Sequence, residues 1–118
     1  MNPQDLEGAE LDAAVARALG WSYSTVDIEH GVWLSDVEAQ PHRNGWFSPS
    51  TRGDHGVPII YRERISVISV TEAGDQWEAY LGWLHPARLD NDPADGEGPT
   101  PLIAAMRAFV RAAAGNTR

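Results

Sequence analysis

Residues 46–64 hold the side chains whose types and spacing come closest to a reactive or ligand-binding site. Hydroxyl groups there lie near a histidine and three arginines. A hydroxyl beside a histidine can act as a nucleophile with its base, whereas hydroxyls beside arginines can bind a phosphate or a carboxylate. Aromatic residues of the same segment can stack on a base or a sugar. The candidate ligand-binding residues are Trp46, Phe47, Ser48, Ser50, Thr51, Arg52, His55, Tyr61, Arg62, Arg64 and, from the C-terminal helix, Thr100.

A catalytic site in this segment would need one of the hydroxyls in 48–51 as nucleophile. His55 would be its base, and Asp54 or Asp36 would orient the histidine. The segment lacks the G-x-S-x-G pattern, on a strand, turn and helix, that makes a serine reactive. Serine and threonine beside proline and glycine are also common in turns. A hydrolase or transferase using His55 is therefore kept only as the third hypothesis.

Metal-binding patterns are absent from the sequence. The four histidines include no H-x-x-x-H or H-E-x-x-H pair, and there is no cysteine. The acidic segment 90–101 resembles a calcium loop, but a carboxylate and the glycine come one position late and Pro101 occupies the last ligand position. The sequence predicts no metal site and no cofactor.

Composition limits the partners. A chain of 118 residues fits a single domain spanning residues 1–118, and its net charge of -8 opposes binding to the phosphates of nucleic acid. No apolar run approaches the roughly 18 residues that a membrane span requires. We therefore expect neither a nucleic-acid nor a membrane partner.

Two helices are predicted, one near each end of the chain. The first covers residues 8–19, where Leu11 and Val15 share an apolar stripe, Asp5 is a candidate cap and Gly20 a stop signal. The second begins after Thr100 as N-cap and ends at Gly115. Its N-terminal N–H groups favour an anion, which is why Thr100 is included among the candidate ligand-binding residues.

Between the helices the pattern favours β-structure. Residues 65–71 and 77–84 are rich in β-branched and aromatic residues around a turn, which predicts an antiparallel hairpin. A short strand is expected at 32–34, a turn at 40–45, a single helical turn near Pro58 and an exposed acidic connection at 85–99. The predicted fold class is α+β: a small antiparallel sheet, with a central hairpin, packed with an N-terminal and a C-terminal helix.

Three segments in this order resemble the NinX family of small bacteriophage proteins. They are LEGAELDAAVARALG, FSPSTRGDHGVPIIYRERI and GPTPLIAAMRAFV. The resemblance implies a phage or prophage protein acting in the host bacterial cytoplasm. The chain departs from the family pattern at Ala13 and Ala14, at residues 52–55 and at Tyr61, and these departures allow a ligand different from that of its relatives.

The favoured hypothesis is a non-enzymatic phage accessory protein that binds a small anionic, nucleotide-like ligand. Sequestering a host immune signalling nucleotide would be one use of such binding. Enclosing a ligand with so small a chain favours a homo-oligomer. The alternative is a protein-binding module that inhibits or redirects a host protein, with the acidic segment 90–97 facing a basic partner.

Overall fold

The computed structural model describes residues 5–34, 45–82 and 93–114 and confirms the α+β fold class. Its described part contains two antiparallel three-stranded sheets, with strand orders β1-β2-β3 and β4-β5-β6. The elements in chain order are α1 Gly8–Ala18, β1 Tyr23–Asp27, β2 Gly31–Leu34, β3 Trp46–Phe47, α2 Gly53–Glu63, β4 Ile65–Ser69, β5 Trp77–Leu81, β6 Gly96–Gly98 and α3 Pro101–Ala114. None of the helices in these ranges is both long and apolar enough to span a membrane.

Helix α1 forms as its apolar spacing predicts. Leu11 and Val15 are fully buried, and Gly20 follows the helix with φ of 80°, the left-handed conformation that ends helices. The N-cap is Glu7, in an extended conformation and without a side-chain cap bond, so the expected cap at Asp5 is wrong. The helix start depends on packing more than on capping.

The first sheet is more extensive than the single predicted strand at 32–34. Val32 pairs with Val26 on one side and with Phe47 on the other, which places β2 in the centre. Gly31 has φ of 93°, and a Cβ there would lie 2.3 Å from the Phe47 carbonyl oxygen. The chain therefore needs glycine at the start of β2. The sheet was missed because turn-forming residues separate its strands and obscure the alternation.

Helix α2 is also longer than predicted. The single turn expected near Pro58 is an 11-residue helix, Gly53–Glu63, with Pro58 in its interior. Proline is disfavoured inside helices because it lacks an N–H donor and crowds the preceding turn. Buried Ile59 on α2 and the packing of α2 against α3 and β4 outweigh this local preference. Arg64 ends the helix in the left-handed conformation, with φ of 54°.

The predicted hairpin is confirmed as β4 and β5, which pair from Ile65–Leu81 to Ser69–Trp77. Beside β5 lies β6, which corrects the expectation that the acidic segment is an exposed connection up to residue 99. Asp95 is 6% exposed, and its carboxylate accepts the Leu81 N–H at 2.8 Å. That carboxylate ties the start of β6 to the end of β5. Residues 85–92, the predicted turn residues 40–44 and the expected helix end at Gly115 lie outside the described ranges.

Helix α3 lies against β6 at very short range. A Cβ on Gly96 would lie 2.3 Å from the Ala104 carbonyl oxygen and 2.5 Å from the Ala108 nitrogen, and one on Gly98 would lie 2.7 Å from Ile103 Cγ2. Only glycine allows the strand and the helix to approach so closely. Helix α3 also packs against α1, α2, β4 and β5.

We predict that Gly96→Ala destabilises the fold by about 2 kcal/mol or more, because its Cβ would overlap backbone atoms that cannot rotate away. Urea unfolding followed by tryptophan fluorescence measures the change. Glu97→Ala, an exposed position in the same strand, is the matched control and should change the unfolding free energy little. Equal effects of the two substitutions would show that the close approach is unimportant.

Candidate functional site

The segment that carries most candidate residues forms a tight turn between β3 and α2. Thr51 N and Arg52 N both donate to the Ser48 carbonyl oxygen, at 3.1 and 2.8 Å. Ser48 is 6% exposed and Ser50 2% exposed, so these two hydroxyl-bearing residues face the interior. Thr51 is exposed, and its hydroxyl also donates to Ser48 O, at 3.5 Å.

His55 holds this turn from the inside. It is 3% exposed, its ring stacks on Phe47 at 5.7 Å, and its Nδ1 accepts the Ser48 N–H at 2.8 Å. Nδ1 must therefore be unprotonated, and Nε2, 3.9 Å from Asp54 Oδ2, carries the proton. The Ser48 hydroxyl donates elsewhere, to the His30 carbonyl oxygen. The serine hydroxyl and the histidine thus do not form the contact that an activated nucleophile needs.

Asp12 of α1 holds the same turn from the other helix. Its Oδ1 accepts the Ser50 N–H at 2.8 Å, and the residue is 2% exposed. Burial raises the pKa of Asp12 to about 6, against a smaller lowering by the hydrogen bond from the Ser50 N–H. Sequence reasoning missed Asp12. The signal was a carboxylate on the face of the helix that also carries Leu11 and Val15.

The three candidate arginines do not converge. Arg52 donates to Asp54 at 3.1 and 2.7 Å, which holds the pKa of that carboxyl below its usual value. Arg62 pairs with Glu63 at 2.9 Å. Arg64 lies at the opposite end of α2 from Arg52, on the order of 18 Å away at 1.5 Å per residue. A single phosphate cannot reach both ends of the helix.

The candidate aromatics are also divided between core and surface. Phe47 is 1% exposed and packs edge-on against Trp21 at 5.2 Å, so it is a core residue. Trp46 is half-buried beside Trp33, at 5.1 Å between ring centroids. Tyr61 is 86% exposed on α2. These rings do not line one stacking pocket.

The start of α3 approaches α2 through an apolar contact, and no described hydrogen bond joins Thr100 to the turn. Thr100 accepts the Ile103 N–H at 3.1 Å, which confirms its N-cap role. Gly56 of α2 packs against α3, since a Cβ there would lie 2.8 Å from Leu102 Cδ2. The exposed hydroxyl of Thr100 is therefore engaged in capping, and the adjoining contact is packing.

A groove lies away from this turn, between α1, β1 and the C-terminal half of α3. This groove has a volume of about 650 Å³. Its lining is mainly apolar, and its polar residues are Glu10, Arg17 and Tyr23; Arg17 Nη1 donates to the Tyr23 hydroxyl at 2.6 Å. A smaller cavity of about 320 Å³ is lined by Arg107 and Arg111, two further residues that sequence reasoning missed.

Metal ligands are not gathered within the described residues, where no three histidine or acidic side chains come together. The described geometry instead shows a turn held by two buried side chains, an apolar groove and a small cavity with two arginines. Each of these can be tested separately.

The raised pKa of Asp12 predicts a pH-dependent stability. Below the unfolded value of 3.8 the carboxyl is protonated in both states, and its contribution to stability is fully present. As the pH rises through about 6, folding must bury a charge, and up to about 3 kcal/mol of stability is lost. Asp12→Asn keeps an oxygen for the Ser50 N–H and removes that charge. We expect it to stabilise the fold at pH 8 and not at pH 4.

Urea unfolding at both pH values measures this difference. Asp12→Ala, which removes the acceptor as well as the charge, is the comparison variant and should be destabilised at pH 4. If Asp12→Asn changed stability by the same amount at pH 4 and pH 8, the pKa of Asp12 would be the same in the folded and unfolded states and the prediction would fail.

Comparison with known families identifies the family of the chain. The family model described as "Bacteriophage P22, NinX" matches residues 2–112, which includes α1, both sheets, the turn and almost all of α3. Curated proteins gave no match. Because the match covers nearly the whole chain, the resemblance seen in three segments is confirmed, and the chain belongs to the NinX family of bacteriophage proteins.

Proposed function

We propose that this phage protein acts as an accessory factor that binds a host protein, through the groove between α1, β1 and α3. The partner segment is basic and amphipathic. The observation that carries the proposal is the groove itself. It has a volume of about 650 Å³ and a mainly apolar lining, and no helix or strand of the described residues covers it. Mainly apolar concave surfaces of this volume are common binding sites in proteins.

Small side chains make the groove wide enough for another chain. Ala14 and Ala18 of α1 face Ala113 of α3 across it, and Val110 lines it as well. Alanines leave space between helices that larger residues would fill. An inserted segment would therefore find apolar walls on two sides.

One border of the groove is an exposed apolar ridge at β1. Val26 lines the groove and is 48% exposed, while Ile28, two residues later, is 91% exposed. In sheet order β1-β2-β3 the strand is also at an edge, with backbone groups directed away from β2. A partner segment can contact the ridge and the groove together.

The charges around the groove favour a basic partner. Glu10 lines it, and Asp27 and Glu29 flank Ile28. The Glu29 N–H, and then His30, hold the pKa of Asp27 below its usual value, so this carboxylate stays ionised at neutral pH. The positive residue of the lining, Arg17, already donates to Tyr23. The net charge of -8 acts in the same direction over a longer range.

The small anionic ligand expected at residues 46–64 has less support from the geometry. Ser48 and Ser50 are buried, while Arg52 and Arg62 are each paired with a neighbouring carboxylate. A ligand would have to displace these contacts. Binding of a host protein needs no such rearrangement.

The test uses two substitutions in the groove with two matched controls. Val26→Lys removes an apolar contact and adds a repulsive charge, and Glu10→Lys reverses a lining charge. The controls are Val70→Lys, at a position 46% exposed, and Glu72→Lys, which is exposed in the β4–β5 turn. Proteins captured from host lysate are purified, their affinity is measured by calorimetry, and the contacting segment is mapped by cross-linking.

We expect each groove variant to weaken binding by roughly tenfold or more, a typical loss at a central interface residue, while the controls bind normally. Affinity should also fall with added salt. Cross-links from a basic amphipathic segment to β1 and α1 would complete the support. Equal binding by all four variants would overturn the proposal. A homodimer that disappears on Val26→Lys would also overturn it, by showing that a second copy covers the groove.

A further inference from the structure

We propose that Arg107 and Arg111 form a second site, which binds a small phosphate-bearing ligand in the cavity between α3 and β6. This site is separate from residues 46–64 and does not depend on the protein-binding function. The two arginines are four residues apart on α3, so their side chains lie one above the other on one helix face. Both line the cavity of about 320 Å³.

Backbone carbonyls hold the two guanidinium groups in place. Arg107 Nε donates to Leu6 O at 2.9 Å, and its Nη1 donates to Glu97 O at 2.8 Å. Arg111 Nη1 donates to Ala94 O at 3.1 Å. These contacts come from two separate segments of the chain, one at Leu6 and one at residues 94–97. The arginines are therefore oriented before any ligand arrives, which lowers the entropic cost of binding.

The charges of this pair are not neutralised within the described part of the chain. No carboxylate oxygen there lies within 4.0 Å of either guanidinium group, whereas Arg52 and Arg62 each form such an ion pair. Two like charges one helical turn apart repel each other. The protein as a whole has a net charge of -8. Among the described residues, this adjacent pair of cations without a counter-ion is therefore the place that most favours binding of an anion.

The remaining donors suit a phosphate. A guanidinium group has five N–H donors, and the described contacts leave both Nη2 donors of each arginine available. A phosphate group carries about -1.5 to -2 charge at pH 7, which two guanidinium groups match. The cavity is near the lower end of the range for small-molecule pockets. It has room for a phosphate with a sugar or nucleoside attached.

Glu97 and Gln76 shape the cavity further. Glu97 also lines it, so its carboxylate repels an anion and weakens the site. Gln76 also lines the cavity, and an amide side chain can donate or accept a hydrogen bond. An uncharged ligand gains no charge–charge attraction from the arginines, whereas a phosphate does and gains more when the Glu97 charge is removed. This difference distinguishes a phosphate site from a general small-molecule pocket.

The experiment titrates the full-length protein with inorganic phosphate, ribose 5-phosphate and AMP, with adenosine as the uncharged control. Binding is measured by calorimetry and by amide chemical shifts. Arg111→Gln is the main variant because Arg111 is exposed, whereas Arg107 also anchors Leu6. Arg62→Gln on α2 is the matched control, and Glu97→Gln tests the repulsion.

We expect millimolar or tighter binding of at least one phosphate compound. Arg111→Gln should weaken it roughly tenfold, the loss expected for a charge-assisted contact, while Glu97→Gln tightens it and Arg62→Gln leaves it unchanged. The shifted amides should cluster at residues 97–111. Binding of AMP but not of inorganic phosphate would assign a nucleoside subsite beside the arginines. No binding at millimolar phosphate compounds, equal binding of adenosine, or equal loss in Arg62→Gln would overturn the proposal.

Discussion

The close contact between β6 and α3 is the constraint on which the rest of the structure depends. Gly96 and Gly98 present no side chains to the helix, and Ala104 and Ala108 present small ones, so backbone meets backbone. This contact fixes the second sheet against α3. Because α3 also packs against α1 and α2, its position sets where the other helices and the turn between β3 and α2 can lie. Most of the core is thus arranged around one helix.

Two buried ionisable side chains then hold the turn that the core surrounds. Asp12 accepts from Ser50 N, and His55 accepts from Ser48 N. A buried backbone N–H without an acceptor is costly, and each of these side chains also needs a partner, so every contact satisfies two groups at once. Buried polar networks of this kind select one conformation more strongly than apolar packing does. The residue types of an active site serve here to position a loop.

Helix α3 connects the two surfaces for which we propose functions. Val110 and Ala113 line the groove, while Arg107 and Arg111 line the smaller cavity. At 3.6 residues per turn these two stripes are roughly 110° apart around the helix axis. One amphipathic helix therefore contributes apolar side chains to the groove and positively charged side chains to the cavity. The remaining faces of the helix are buried by its neighbours.

The sequence by itself determined the elements whose signal is local. The stripe in α1, the cap at Thr100 and the β4–β5 hairpin depend on residues within one element or one turn, and periodicity with turn chemistry predicts them. Together with three family segments, they were enough for the fold class and the family.

Tertiary structure alone decided what depends on distant partners. Pro58 lies inside a helix because of packing, Gly96 belongs to a strand because α3 lies against it, and Asp12 meets Ser50 across 38 positions of sequence. These contacts join residues far apart in the chain, and their energies outweigh local preferences of about 1 to 3 kcal/mol per residue. For the same reason Ser48 and Ser50 lie in the core while Arg52 and Arg62, close to them in sequence, lie on the surface. The groove and the arginine cavity also become visible only in three dimensions.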